Sequence, residues 1–417
     1  MKLYIFLTTL IRGIGGGHIY TLNKIHYLTG LGWDTRFLHA DVKAGRIVIE
    51  ELRQYEKMGE QHLQRPPYMF SSTKQIHVLD KLVELLDLKH TYDEIVIESQ
   101  TIDCALWGEL LAKRMRAKNF VFLLGELQRT KNEVVYDFWK YKLARKELYG
   151  IGKNSLKSLM TGWDVSSLCL DYSLSAYCSN SLADIEFKEM KALPKADYTI
   201  GMIGRIDKIF VEYSLDNILK FAQKHSDKRF LVVLIGGTTK QKKIKELKKK
   251  VESLKNIACY ITGLIYPIPV ELVRKPDVFI STSGSCNVSY NLGKITISCD
   301  IHDFQPIGIL GITTKNIMSR SSDEPPLRLE LLLEEILIDK KYREENKPFI
   351  PLKFDFSHHL EAIDRSSHQK EYFKFYTPHF HVREFVIWIS TRILGIEVTN
   401  FLWGKIIKLF QKNRIYE

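Results

Sequence analysis

The sequence predicts an α/β protein with two Rossmann-like domains that face each other, closed by a helical C-terminal segment. Short β-branched runs alternate with amphipathic helical patterns, and they do so in two successive blocks. Glycine-containing turns join several strands to the helices that follow them, as in doubly wound sheets. A proline-containing linker at 193–197 interrupts the alternation, so the predicted units are 1–193, 198–350 and a tail at 351–417.

Composition places the chain among ordinary globular proteins and restricts its partners. Its 417 residues suffice for two or three domains, and 45% apolar with 26% charged residues excludes a disordered chain. The net charge of +12 suits nucleic acid, anionic lipid or phosphorylated small molecules as partners, and of these we do not expect nucleic acid. The densest basic run, 240–250, has the spacing of an amphipathic helix with a solvated face. Six cysteines form no CxxC pair, which is typical of reduced thiols in the cytosol.

The first block opens with an apolar strand that leads into a glycine-rich loop. Residues 3–10 precede no small-residue cleavage site, so we interpret them as a core strand and not as a signal peptide. We expect this loop to bring its backbone close to a ligand bound at the sheet edge, through Gly15, Gly16 and Gly17. A flexible surface loop is an equally good interpretation. The further predicted strands are 34–40, 94–98, 119–124 and 174–180, with helices at 19–31, 74–88, 103–115 and 133–149.

The second block contains the stretch on which the functional interpretation depends. A buried strand at 277–282 runs into the turn Ser283-Gly284-Ser285-Cys286-Asn287, and a short helix and a strand at 295–298 follow. In such βαβ units ligands lie beyond the carboxyl ends of the strands, and glycine lets a phosphate come close. We therefore expect a nucleoside diphosphate at this turn, with an ordinary capped turn as the alternative. The other predicted strands are 198–203, 230–235 and 257–261, with helices at 211–223 and 240–254.

The succession of motifs resembles the glycosyltransferases of the GT-B fold. It comprises the glycine loop 13–17, Leu31-Gly32-Trp33-Asp34 after the first helix, and Ile203-Gly204-Arg205 at the start of the second domain. Leu234-Ile235-Gly236-Gly237, Tyr260-Ile261-Thr262-Gly263 and 277–293 continue the order. The chain is most similar to the large retaining family, family 4 or group 1, that builds bacterial surface polysaccharides.

The resemblance implies a metal-independent enzyme without a cofactor that holds a nucleotide-sugar donor mainly in its second domain. The leaving group is a nucleoside diphosphate, and basic side chains with helix-start N–H groups stabilise its growing charge. Arg205 would be the diphosphate arginine and Lys208 its lysine partner; solvent-exposed charges after a strand are the alternative. The expected donor-binding residues are Gly204, Arg205, Lys208, Gly236, Ser283, Gly284, Ser285 and Asn287.

On the acceptor side we expect catalytic roles for His18 and Glu126. An inverting enzyme needs a general base beside the acceptor hydroxyl, and a histidine or a carboxylate can serve. His18 starts a helix, which favours the neutral ring, although a capping role in the glycine loop is as good an interpretation. A surface carboxylate is the alternative for Glu126. The expected acceptor loop and cleft comprise Gly15, Gly16, Gly17 and Glu98.

One departure from the family leaves the mechanism open. The usual pair of glutamates has no counterpart, because nothing acidic lies between Asp277 and Asp300. The Ser283-Gly284-Ser285 turn also resembles that of inverting GT-B enzymes that act on lipid-linked sugars, so retention and inversion both stay open. Two further hypotheses are a GT-B scaffold that has lost catalysis and supports a partner transferase, and a nucleotide-sugar epimerase.

The tail allows two interpretations. Residues 382–410 have a helical pattern, and their apolar side chains occur together with the basic residues Arg383, Lys405, Lys408 and Lys412. This helix either packs back on the first domain, which we favour, or contacts an anionic membrane. We therefore expect a cytoplasmic protein, or one at the inner face of the cell membrane, with a glycan or a lipid-linked sugar as acceptor.

Overall fold

The computed structural model of the chain divides into two compact units. Unit 1 comprises Met1–Arg12, Thr21–Tyr177 and Phe354–Glu417, and unit 2 comprises Gly13–Tyr20 and Cys178–Lys353. The main division therefore falls earlier than the linker predicted at 193–197. The structure describes residues 1–9, 11, 13–41, 47–124, 132–152, 155–178, 180–238, 240–345, 347–350, 354–367, 371–378, 380 and 382–413.

Unit 1 is built on a parallel sheet. Its strands are β1 (Lys2–Thr8), β2 (Asp34–His39), β3 (Glu94–Ser99), β4 (Lys118–Leu123) and β5 (Leu148–Gly150). They lie in the order β2-β1-β3-β4-β5, and every neighbouring pair is parallel. All of β1 after Lys2 is buried, as expected for a parallel strand covered on both faces.

The described residues up to Tyr177 also form five helices. They are α1 (Gly16–Gly30), α2 (Ser72–Leu86), α3 (Ile102–Met115), α4 (Glu133–Ala144) and α5 (Ser155–Leu159). Short 3-10 helices occupy Glu50–Tyr55, Gln61–Gln64 and Pro67–Met69. The core between the helices and the sheet contains Trp107, Phe138 and Trp139, all fully buried.

The last strand of unit 1 is not where the sequence predicted it. The described residues of 174–180 form no strand, and β5 lies instead at 148–150. The chain reverses direction just before β5, where Lys146 has φ 55. The prediction failed because this turn interrupts a run of helix-forming, aromatic residues that carries no glycine or proline to mark it.

Unit 2 contains a second, larger sheet. Its strands are β6 (Leu182–Ala183), β7 (Tyr198–Ile203), β8 (Phe230–Ile235), β9 (Ile257–Ile261), β10 (Ile268–Pro269), β11 (Val278–Ser281), β12 (Thr296–Cys299) and β13 (Pro306–Ile309). Six of them form the order β13-β12-β11-β7-β8-β9, parallel except for β13, while β6 pairs with β10. The helices are α6 (Ile209–Lys224), α7 (Gln241–Val251), α8 (Val270–Arg274), α9 (Gly284–Tyr290) and α10 (Leu329–Leu333), which continues into a π-helical turn at Glu334–Ile338.

The C-terminal segment returns to unit 1. It carries α11 (Ser357–Asp364) and α12 (Val382–Asn413), and α12 is interrupted at Gly395, where φ is 76 and ψ is 169. Phe373 and Phe375 pack against the unit 1 core. One stretch of α12, Glu384–Trp403, is long and apolar enough to cross a membrane, and little of it is buried.

Candidate functional site

The carboxyl edge of the unit 2 sheet is formed by tight glycine turns. Gly204 follows β7 with φ 151, and Gly236 follows β8 with φ 148. Residues that carry a Cβ rarely adopt this conformation. A Cβ on Gly236 would lie 2.0 Å from the carbonyl oxygen of Gly204. Glycine at position 236 therefore lets the ends of two neighbouring strands approach closely.

Strand β7 is the point at which the strand order of this sheet reverses. β8 lies on one side of β7 and β11 on the other. The chain adds β8 and β9 on one side of β7 and later adds β11 on the other side, and open α/β sheets bind ligands in the crevice formed at such a point. Gly204 and Arg205 follow β7 itself, and Thr282 and Ser283 follow its neighbour β11.

A cavity of about 260 Å³ lies at this edge, and all its walls belong to unit 2. The turns after β7, β8, β9 and β11 contribute to it, as does the glycine loop that precedes α1. The lining residues are Ile14, Gly15, Gly16, Ile19, Cys178, Asn180, Gly204, Arg205, Lys208, Ile235, Gly236, Gly237, Leu264, Ile265, Ile268, Thr282, Ser283, Gly284 and Ser285.

The lining changes from polar to apolar along the sheet edge. In the strand order β11, β7, β8, β9 the turns contribute first 282–285, then Arg205, then Gly236 and Gly237, and finally 264–265. Neighbouring strands lie about 4.8 Å apart, so four strand ends span about 14 Å. A ligand along this edge meets hydroxyl groups and a guanidinium at one end and aliphatic side chains at the other.

Ser283 holds a strained backbone conformation at the polar end of the cavity. Its φ of 57 and ψ of −144 are rare for a residue with a side chain. The Ser283 N–H donates to the carbonyl oxygen of Ile317, and the Ser285 hydroxyl donates to that of Thr282 at 3.1 Å. Gly284 and Ser285 begin α9, so their N–H groups have no carbonyl partner four residues back within the helix. The turn therefore presents amide N–H groups to the cavity, and the hydroxyl-bearing residues Ser283 and Ser285 belong to its lining.

Arg205 and Lys208 supply the positive charge of the cavity wall. The Lys208 N–H donates to the Arg205 carbonyl oxygen at 3.2 Å, so both residues belong to the turn before α6. The Arg205 side chain is 57% exposed, and its Nε lies 3.6 Å from Oδ1 of Asp207. Exposed ion pairs of this kind contribute little free energy, so Arg205 can turn from Asp207 to a phosphate at small cost.

The glycine loop after β1 contributes Gly15 and Gly16 to the lining, whereas Gly17 and His18 are not part of it. The half-buried His18 lies in the first turn of α1, where its N–H donates to the Gly15 carbonyl oxygen at 3.0 Å. A Cβ on Gly15 would lie 3.6 Å from His18 Nδ1. The imidazole is therefore next to a residue of the cavity wall.

The structure brings seven of the eight predicted donor-binding residues to one cavity, and Asn287, on α9, is the exception. Sequence reasoning missed the apolar wall formed by Leu264, Ile265 and Ile268. Gly263, which follows β9 with φ 79, marks the turn that leads into this wall. Glu126, expected as a catalytic residue, lies outside the described residues.

Glu98, expected in an acceptor cleft, is instead fully buried inside unit 1. Its Oε2 accepts from Lys24 Nζ at 2.5 Å and from the Tyr4 hydroxyl at 2.7 Å, and all three side chains have no exposed surface. Lys24 Nζ also lies 3.1 Å from Nδ1 of His359. Burial, followed by the charge of Lys24, keeps the pKa of His359 far below its usual range, so the ring is neutral. The structure therefore places Glu98 in the core of unit 1, where Lys24 of α1 is its counter-ion, and not among the residues of the donor cavity.

Comparison with known proteins identifies the fold. No protein-family model matches the chain, and no curated protein matches it. A glycosyltransferase from Rickettsia africae superposes with a TM-score of 0.50 at 17% identity, over 71% of this chain and 78% of that one. HepE from Anabaena, in complex with UDP and glucose, superposes with a TM-score of 0.53 at 14% identity, over 82% of this chain and 91% of that one. The chain therefore has the GT-B fold, with a Rossmann-like domain in each unit.

Proposed function

We propose that this protein is a glycosyltransferase and that the unit 2 cavity holds its nucleotide-sugar donor. The observation that carries the proposal is the order of the lining along the sheet edge. Hydroxyl and amide groups at 282–285 and the guanidinium of Arg205 suit a diphosphate, and the aliphatic wall at Leu264 and Ile265 suits a planar base. HepE, of similar fold, is known in complex with UDP-glucose.

The chemistry of sugar transfer explains why such a lining is needed. Transfer breaks the bond between the anomeric carbon of the sugar and an oxygen of the diphosphate, and negative charge grows on that oxygen. In this proposal Arg205, Lys208 and the amide groups that follow Ser283 stabilise this charge, and no metal ion is needed; their position in the cavity lining supports it. Groups that bind the leaving diphosphate more tightly than the intact donor lower the barrier.

For the acceptor step we propose His18 as the general base, with Glu126 as the alternative. Gly15 and Gly16 line the donor cavity, and the His18 imidazole lies beside Gly15. A base in this place takes the proton of the acceptor hydroxyl as the new glycosidic bond forms. If the enzyme inverts the anomeric configuration, a general base at the acceptor is required. If it retains the configuration, we propose that His18 orients the acceptor instead.

We further propose a lipid-linked glycan as the acceptor and surface-polysaccharide synthesis as the pathway. This places the enzyme in the cytoplasm, at the inner face of the cell membrane. The similarity of the motif succession to family 4 supports the pathway, and the exposed apolar side chains of α12 support the membrane contact.

A second candidate function is a binding protein that holds a nucleotide-sugar without transferring it. The cavity lining, all of it within the described residues, contains neither a carboxylate nor a histidine. This composition favours binding over acid–base chemistry inside the cavity itself. It also disfavours an epimerase, which has to move protons at the bound sugar.

One experiment separates these functions. The chain is titrated with UDP-, GDP- and dTDP-glucose, and release of the nucleoside diphosphate is then followed with and without a lipid-linked glycan extract. A transferase binds a donor and releases diphosphate only with acceptor, whereas a binding protein shows affinity without release. Conversion of the donor sugar without acceptor identifies an epimerase. Failure of all three nucleotides to bind would overturn the donor site.

A further inference from the structure

Helix α12 is broken in the middle of its apolar stretch. The break is at Gly395, whose φ of 76 and ψ of 169 are not helical. The part before it, 382–394, is about 20 Å long at a rise of 1.5 Å per residue, and the hydrocarbon core of a bilayer is about 30 Å thick. This part is therefore too short to cross a membrane but long enough to lie along one.

One face of α12 is fixed on unit 1. Thr391 and Ile396 are each 5% exposed, and Thr399 is fully buried. Asn400 Nδ2 donates to Oε1 of Gln64 at 3.0 Å, which ties the second part of the helix to the 3-10 helix at 61–64. Unit 1 thus sets the position of the helix on both sides of the break.

The other face of α12 is apolar and exposed. Ile393 is 74% exposed and Phe401 is 61% exposed, and their neighbours on this face are between 40% and 46% exposed. The spacing of these residues on each side of the break places them on one side of a helix. Exposed apolar residues grouped on one face of a helix mark a contact with a partner or a membrane. We call this surface the α12 stripe: Phe385, Val386, Ile393, Val398, Phe401 and Leu402.

A second cavity, of about 630 Å³, opens beside the break and lies wholly within unit 1. Lys74 and Arg392 line it, and neither pairs with a carboxylate among the described residues. The Arg392 guanidinium is held 4.4 Å from the centre of the Trp388 ring. Thr391 also lines the cavity, and its buried hydroxyl has no hydrogen-bond partner in the described part of the chain. Two cations that have no carboxylate partner in the described part of the chain indicate a site for an anion.

The remaining charges at this cavity leave it positive. The 15-residue helix α2 begins at Ser72, so the positive end of its dipole lies beside Lys74. Glu397 is the carboxylate in the lining, and His62, also in the lining, pairs with Glu60. Two cations thus stand against one lining carboxylate.

We propose that this cavity binds the phosphate headgroup of an anionic membrane lipid, with the α12 stripe lying in the membrane interface. The proposal deepens the membrane contact proposed above for α12 and is independent of sugar transfer, since every residue named for it belongs to unit 1. Charge argues for a membrane over a protein partner, because 404–417 contains four cations, Lys405, Lys408, Lys412 and Arg414, and one acidic residue, Glu417. A basic helix with an apolar face is the pattern of a protein bound to the surface of an anionic bilayer.

The test is sedimentation of the full chain with vesicles of phosphatidylcholine, alone or in a two-to-one mixture with phosphatidylglycerol. We expect binding to the mixed vesicles only. The double variant Lys74→Gln/Arg392→Gln should bind about 25-fold more weakly, because each cation near an anionic surface contributes about fivefold. Glu397→Gln should bind about fivefold more tightly, because it removes the opposing charge.

A matched control variant has the same net charge as the double variant Lys74→Gln/Arg392→Gln. Lys89 and Lys242 are 72% and 91% exposed and lie outside the cavity, so Lys89→Gln/Lys242→Gln should leave vesicle binding unchanged. An equal loss in this control would show general surface attraction and would overturn the site. Phe401→Ser should weaken binding to mixed vesicles while the thermal unfolding midpoint stays constant, because Phe401 is exposed.

Two further outcomes would overturn the proposal. If soluble glycerol phosphate displaces the chain from mixed vesicles at concentrations that leave ionic strength constant, the cavity is a site for a free phosphate. If the chain is a dimer without vesicles, and Phe401→Ser makes it a monomer with unchanged vesicle binding, the α12 stripe is a self-association surface.

Discussion

The carbonyl oxygen of Gly204 fills the space that a side chain on Gly236 would need. A Cβ on Gly236 would lie 2.0 Å from that oxygen, and the Gly204 N–H donates to the Ile235 carbonyl oxygen at 3.0 Å. The ends of β7 and β8 are thereby held together where both contribute to the wall of the donor cavity. The shape of that wall depends on glycine at position 236.

Gly236→Ala should destabilise the protein and abolish nucleotide binding. The added methyl group meets backbone that cannot rotate away, and the φ of 148 disfavours alanine as well. We expect a loss of about 3 kcal/mol in the free energy of unfolding, measured by urea titration. Gly30→Ala is the control, since nothing lies within 4 Å of its added Cβ and this glycine ends α1. Equal stabilities of the two variants would contradict the close approach.

Ser283→Gly should stabilise the fold and weaken donor binding. Glycine adopts φ 57 with ψ −144 without the penalty that serine carries, so the free energy of unfolding should rise by about 1 kcal/mol. The same change removes a hydroxyl donor from the cavity and loosens the turn. Urea unfolding and calorimetric titration with UDP-glucose measure the two effects. A variant that binds more tightly would show that the turn is not part of the donor site.

Arg205→Ala should weaken the binding of UDP and leave stability unchanged. The side chain is 57% exposed, so its loss costs little folding energy, whereas a hydrogen bond to a charged phosphate is worth about 2 kcal/mol, or about 30-fold in affinity. Lys242→Ala, which removes the same charge from an exposed position on α7, is the control. Uridine without phosphates should bind both variants equally. A loss of uridine affinity in Arg205→Ala would place the arginine at the base instead.

The donor side of the site could be predicted because it depends on local features of the chain. Gly204, Gly236 and Ser283 each follow a short apolar strand directly, and parallel strands bring their carboxyl ends to one edge. The apolar wall at 264–268 was missed because nothing local distinguishes a cavity-lining leucine from a core leucine. Its position follows only from the pairing of β9 with β8.

Unit 1 was predicted less well, since its polar residues depend on partners distant in sequence. Glu98 is separated by 74 residues from Lys24, the side chain that explains its burial. The strand β5 is three residues long and follows a turn at Lys146 that no glycine or proline marks. The sequence therefore shows which residues are charged but not which of them are paired inside the core.

Asp103→Asn should flatten the pH dependence of stability. Burial raises the pKa of Asp103 from 3.8 to about 7, against the smaller opposing effect of Arg65. Between these values the unfolded chain releases the proton and the folded chain keeps it, so stability falls as pH rises through this window. The slope approaches about 1.4 kcal/mol per pH unit. The asparagine variant should match the wild type near pH 4 and exceed its stability above pH 7.

Urea unfolding at intervals across this range measures the difference. Asp171→Asn is the control, because that side chain is 77% exposed. The free energy of unfolding of Asp171→Asn, plotted against pH, should run parallel to that of the wild type. A parallel curve for Asp103→Asn would show that the carboxyl is ionised in the folded protein.

Variants of the buried pair Lys24 and Glu98 show whether Glu98 has a structural or a catalytic role. Glu98→Gln leaves the Lys24 charge in the core without its counter-ion, and Lys24→Met leaves the carboxylate. Each should cost about 3–5 kcal/mol in the free energy of unfolding. The double variant should lose far less free energy of unfolding than the sum of the two single losses, because neither charge is then buried without its partner. A double-mutant cycle measures this coupling. Glu94→Gln is the control: it lies on the same strand with 21% exposure, and its loss should cost about 1 kcal/mol or less. A Glu98→Gln variant of wild-type stability but reduced sugar transfer would return Glu98 to the acceptor site.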